Sequence, residues 1–155
     1  MSDGWFALIG VFIGTASTVG WQAWVAKRQA RVAREAAQSS ASAGLLDAFW
    51  DRLRLSVYDS NPTPADERKA FRSWARARTR FLEAGFEDAL ITTTWLDLFL
   101  TDVESDTFSG AILTWHDAIK KHGYVTEALG RARAGDSAAI EGIRTDRKRL
   151  SDKYW

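Results

Sequence analysis

The chain has 155 residues, enough for one domain of ordinary size with some length to spare. Lys and Arg number 21 against 20 Asp and Glu, a net charge of +1 that excludes a strongly basic nucleic-acid binder by bulk charge; 46% hydrophobic and 26% charged residues exclude wholesale disorder. Cysteine is absent, which removes disulfides, thiolate zinc sites and cysteine nucleophiles.

The opening stretch carries the strongest signal. Gly4 to Ala26 has no ionisable side chain. Trp5 to Val25, wound as a helix, spans about 31 Å, close to the hydrocarbon thickness of a bilayer. Trp5 stands at one end and Trp21 with Trp24 at the other, where indole rings favour the headgroup level. Lys27, Arg28, Arg31 and Arg34 follow directly, while the N-terminal flank carries only Asp3. The positive-inside rule then predicts a transmembrane helix over residues 5–25, with residues 1–4 outside and the rest of the chain cytoplasmic, at the cell membrane. Its drive to insert is modest, because Thr15, Ser17, Thr18 and Gln22 dilute the apolar residues. A cleaved signal peptide fits less well, since the basic residues come after the apolar run and not before it.

Gly10 and Gly14 form a G-x-x-x-G pair, and Thr18 extends this small-residue row. Such a face lets two helix backbones approach closely, so membrane lipid and a second copy, or a larger membrane complex, are the expected partners. Residues 26–44 read as a basic, Ala-rich neck ending in small residues, Ser39 to Gly44, that form either a hinge or a weak helix start. Ala23, Ala26, Ala30, Ala33 and Ala37 recur there at helical spacing.

From residue 45 to 155 the pattern predicts a helical cytoplasmic domain. Leu46, Phe49, Trp50, Leu53 and Val57 mark a first amphipathic helix. Thr63 reads as an N-cap, with Pro64 at the first helical position and Asp66 three residues after the cap; that helix should stop at Gly85. Its apolar face would hold Phe71, Trp74, the stem of Arg78, Phe81 and Leu82. Thr92 to Thr94 should open a short helix bearing Trp95, Leu96, Phe99, Leu100 and Val103. A polar turn over 104–107 should precede one bearing Phe108, Ile112, Trp115 and Ile119, ended by Gly123. Val125 and Leu129 start another. Gly135-Asp136 should break the chain and cap a last helix with Ile140, Ile143, Arg147, Leu150 and Tyr154. No segment reads as a strand. The fold class is therefore all-α: a transmembrane helix, a basic neck, then a compact bundle of about five or six helices.

Charge is segregated along the chain. From Phe81 to Ile119 there is no Lys or Arg, while Glu83, Glu87, Asp88, Asp97, Asp102, Glu104, Asp106 and Asp117 lie within it. Just before it, Arg68, Arg72, Arg76 and Arg80 repeat every four residues and form a basic ridge. Pairing with the acidic stretch, within the fold or across a subunit boundary, is its expected use. Anionic lipid comes second, and nucleic acid is disfavoured because no aromatic–basic interleaving accompanies the ridge.

Catalytic signals are thin. His116 and His122 are six apart and face different sides of a helix, so they cannot chelate one metal. Asp102, Glu104 and Asp106 open like a calcium loop, but Thr107 and Leu113 stand where that loop needs Gly and Glu. No nucleotide-binding, metalloprotease or serine-hydrolase motif is present, and no cofactor or metal is implied. The layout of the first 40 or so residues is similar to that of many small uncharacterised bacterial single-pass membrane proteins, with an apolar N-terminal helix, a basic neck and a helical cytoplasmic domain. That resemblance carries no diagnostic motif and implies no activity. The expected function is a non-catalytic, membrane-anchored accessory or scaffold subunit. The alternatives are a membrane-perturbing effector of holin-like or abortive-infection type, and an enzyme or phosphate-ligand binder in the helical domain.

Overall fold

The computed structural model describes the backbone of residues 3–58, 62–108 and 115–155, and the side chains of 20–56, 62–106 and 116–155. Among the described residues every regular element is a helix: α1 (Asp3–Tyr58), α2 (Pro64–Glu83), α3 (Ala89–Phe108), α4 (Trp115–Arg133) and α5 (Ser137–Tyr154). Contacts divide the chain into two units, Met1–Ala37 and Gln38–Trp155.

The helix boundaries of the second unit follow local chemistry. Thr63 is extended and accepts a hydrogen bond from the Asp66 backbone N–H at 3.3 Å, while Pro64 fills a first-turn position where no N–H is needed. α2 ends at Ala84, and Gly85 turns the chain with a φ of 73°, a conformation few other residues tolerate. Gly135 does the same at a φ of 83°. Asp136 then caps α5 by accepting from the N–H groups of Ala138 and Ala139 at 2.9 and 3.3 Å, and Arg131 holds its carboxylate at 2.7 Å.

Two expected breaks and the hinge alternative are absent. The small-residue segment 39–44 is helical, as the helix-start reading has it, and Ser42 Oγ donates to the Gln38 carbonyl one turn back at 2.9 Å. Ala and Ser tolerate helix, and Leu45, fully buried, anchors the next turn in the core. The turn expected at 104–107 is the last part of α3, and Gly123 lies inside α4. A helical Gly costs about 1 kcal/mol relative to Ala, and burial of Ala118 and Val125 on either side of it outweighs that. Among the described residues five helices form the bundle, within the expected five or six, and they are longer than the pattern suggests.

α3 is the central helix. It packs against α2 and α5, and α4 packs against α5. Its buried residues Ala89, Thr92, Thr93, Trp95, Leu96, Leu100 and Val103 cover more than one face, which is why its sequence shows a weak amphipathic stripe. The last third of α1 supplies Leu45, Ala48, Phe49 and Leu53 to the same core, α2 supplies Trp74 and Phe81, and α5 supplies Ile143 and Leu150. Phe49 meets Trp74 and Phe99 at ring distances of 6.4 and 6.0 Å. Three expected core residues lie outside it: Phe71 is 60% exposed and Leu82 is also exposed, because the buried line of α2 runs through Ala70, Trp74 and Phe81, and Ile119 of α4 is exposed beside the buried Ala118. Val57, Phe108, Ile112 and Trp115 lie outside the described side chains.

Candidate functional site

Two surfaces collect the residues singled out by sequence. The first lies in the unit Met1–Ala37. Trp21 and Trp24 are one turn apart on α1, stacked with centroids 5.1 Å apart, and both are exposed, at 64% and 50%. The Arg28 guanidinium sits 5.5 Å from the Trp24 ring centre, a cation–π distance. Lys27, Arg28, Arg31 and Arg34 are all exposed, and Arg31 pairs with Glu35 at 2.9 Å. Two indoles left in water on a helix surface forfeit most of their burial energy, unless another solvent covers them. Among the described residues no helix is long and apolar enough to cross a membrane. Trp5, Gly10, Gly14 and Thr18, and with them most of the apolar run, lie outside the described side chains.

The second surface is the basic ridge of α2. Arg68, Lys69, Arg72, Arg76 and Arg80 are all exposed. At 100° per residue they occupy one flank, opposite the buried line of Ala70, Trp74 and Phe81. The expected pairing with the acidic stretch does not occur within the described residues of one chain; pairing across a subunit boundary is the other form of that expectation. Among the described residues five of the acidic groups are taken by other cations: Glu104 by Arg52 at 2.9 Å, Asp97 by Arg78 at 3.2 Å and Asp88 by Arg144 at 3.0 Å. Lys153 holds Asp102 at 2.6 Å, and Lys121 reaches Asp106 at 3.9 Å. The physical reason is orientation: the inner edge of α2 presents Arg78 to α3, while the ridge points away from the bundle. No ridge arginine forms an ion pair with a described residue. Like charges four apart on a helix destabilise it by about 0.2–0.5 kcal/mol per pair, so the ridge is a local cost that the fold carries.

The residues weighed for chemistry have structural partners. The would-be calcium-loop residues lie on helix α3. Asp102 accepts from Lys153 Nζ at 2.6 Å and Tyr154 Oη at 2.7 Å, closing the end of α5 onto α3. Partial burial pushes the Asp102 carboxyl up, and those two hydrogen bonds outweigh it, holding it below the usual carboxylate range. Among the described residues no group of three or more His, Asp or Glu could hold a metal. His116 is exposed. His122 packs its ring 4.7 Å from Trp50 and 6.4 Å from Phe49.

That packing makes His122 a pH-sensitive part of the core edge. Burial lowers its proton affinity, and Asp47 opposes this weakly. As pH falls through the ordinary imidazole value near 6.5, the unfolded chain binds a proton that the folded chain refuses. The stability His122 contributes is therefore present above that value and is lost as pH falls toward its lowered folded value. Urea denaturation between about pH 5 and pH 7.5 should show a lower midpoint at the acid end, and His122→Phe should shrink the difference. Equal differences in both proteins would contradict this assignment.

Sequence reasoning missed two features. Trp74 and Trp95 each donate an indole N–H to a carboxylate, Asp97 and Asp146 respectively, both at 2.8 Å. A Trp inside an apolar stripe needs such an acceptor, and that was the available signal. The other is a cavity of about 370 Å³ walled by Leu46, Phe81, Phe86, Leu129 and Ile140, with Thr92 and Arg133 also lining it. Phe81 and Phe86 stack along it at 4.5 Å. Nothing in the sequence pattern announces it, because its walls come from separate elements.

The chain matches no protein-family model, no curated protein and no solved structure.

Proposed function

We propose that the protein is a non-catalytic, single-pass membrane-anchored accessory or scaffold subunit. It holds a helical domain at the cytoplasmic face and assembles with itself or with a larger membrane complex. The observation that supports this best is the surface at Trp21, Trp24 and Arg28. Two stacked, exposed indoles directly precede four cations on a helix, and upstream of them lies a segment with no ionisable side chain as far as Gly4. Indoles at headgroup level followed by Lys and Arg are what a helix needs where it leaves the inner leaflet. The continuity of α1 from Asp3 to Tyr58 adds support, since a helix satisfies its own backbone in lipid and in water alike.

Extraction of the C-terminally tagged full chain in mild detergent tests the assembly. The expected result is a particle larger than one chain plus micelle, with either further copies or other membrane proteins in it. A monomer with no companion contradicts the accessory role. Within that particle, Gly10→Ile with Gly14→Ile should lower self-association at least tenfold in a membrane two-hybrid assay, because a branched side chain on the close-packing face forces the backbones apart. An unchanged signal would remove this face from the reading.

A further inference from the structure

The ridge on α2 has a role that the anchor does not supply. Arg68, Lys69, Arg72, Arg76 and Arg80 line one exposed flank over about 18 Å of helix. Between them stand only small or polar side chains: Ala65, Ser73 and Thr79, with Glu83 at the end. Three observations narrow what such a face can bind. Its centre is cationic, and the exposed apolar side chains of α2, Phe71 and Leu82, lie at its edge, whereas stable protein interfaces are centred on such anchors. Its exposed aromatic neighbour, Phe71, lies beside the flank with the Arg52 guanidinium 5.8 Å over its ring, so no row of aromatics is offered on which successive bases could stack, as single-stranded nucleic acid would use. And five carboxylates of the domain's acidic stretch, Asp88, Asp97, Asp102, Glu104 and Asp106, are held by Arg144, Arg78, Lys153, Arg52 and Lys121, so a second copy offers few free carboxylates to match the row. What remains is an extended anionic surface that gains from charge alone.

We infer that this ridge docks the helical domain onto the anionic phospholipid headgroups of the membrane that anchors it. The inference rests on the membrane reading above, which brings the domain and the leaflet together at high effective concentration. Guanidinium groups pair with phosphate in a bidentate fork, and four of the five cations are Arg. Each cation near an anionic leaflet raises the attraction by about fivefold, and salt weakens it. Anion contact also relieves the i,i+4 repulsion along α2, so docking and helix stability favour one another.

The absence of cysteine allows a direct test on the full chain. Thr79→Cys places a single thiol on the ridge flank, where an environment-sensitive fluorophore reports headgroup contact. The labelled chain is reconstituted into phosphatidylcholine vesicles with and without phosphatidylglycerol. Flotation with neutral vesicles reads the anchor, and the label reads the ridge, so the two ideas fail separately. The expected result is a blue shift only in anionic vesicles, reversed by high salt. Arg68, Arg72, Arg76 and Arg80 changed together to Gln should lose it at least tenfold, and the same four changed to Lys should keep it, which separates lost charge from lost fold. A chain that floats but gives one spectrum in both vesicle types overturns the proposal and leaves the anchor. A salt-dependent, ridge-dependent shift in a chain that fails to float with neutral vesicles upholds the ridge and rejects the anchor. A shift given by added RNA or DNA without lipid also overturns it.

Discussion

Trp95→Ala should destabilise the helical domain by about 3–5 kcal/mol, a large share of the roughly 5–15 kcal/mol that holds an ordinary domain folded. Trp95 is fully buried on the central helix. Its ring meets Phe99 and Tyr124 edge-on at 6.0 and 6.2 Å, and its N–H donates to Asp146 Oδ2 at 2.8 Å. Truncation opens a cavity between α3, α4 and α5 and removes one partner of a largely buried carboxylate, although Arg149 still holds Asp146 at 2.8 Å. Trp95→Phe keeps much of the volume and loses the hydrogen bond, so it should fall between the two. Trp155→Ala is the control. That indole is 98% exposed, and its loss should stay within about 0.5 kcal/mol. Urea titration followed by near-ultraviolet circular dichroism reads all three. A Trp95→Ala midpoint equal to the parent's would show that α3 is not the centre of the fold.

Local signals in the sequence proved reliable where the physics is local. The Thr63-Pro64-Asp66 start and the Gly135-Asp136 break are visible because a cap needs a side-chain oxygen and a reversal needs a positive φ within a few residues. The extent of α3 was hidden. Glu104 and Asp106 look like turn residues, yet helix persists because Arg52 of α1 and Lys121 of α4 meet them from distant parts of the chain. Gly123 looks like a stop, and packing on either side overrides it. In the same way the ridge was visible as a four-residue repeat, but its lack of partners was not. That depends on which edge of α2 faces α3, and Arg78 at the inner edge and Arg76 on the flank are alike in composition.

The second large effect concerns solvent rather than packing. Transmembrane insertion is effectively irreversible, whereas a peripheral basic surface is released by salt. The chain carries both kinds of feature: the apolar run with Trp21 and Trp24 at its C-terminal end, and exposed cations on α1 and α2. The two make different demands on a fractionation. If cations alone held the protein, high salt would strip it from membranes. If the opening helix is in lipid, salt should leave it bound, and only detergent should free it. Deletion of residues 1–26 should then convert a membrane protein into one that salt removes, an all-or-none change in distribution.

Ultracentrifugation of lysed cells expressing the full chain, without detergent and after a high-salt wash, therefore tests the central claim most directly. The account predicts that the protein sediments with the membranes, and that mild detergent releases it to the supernatant. Full-length protein left in the supernatant before any detergent is added would contradict it.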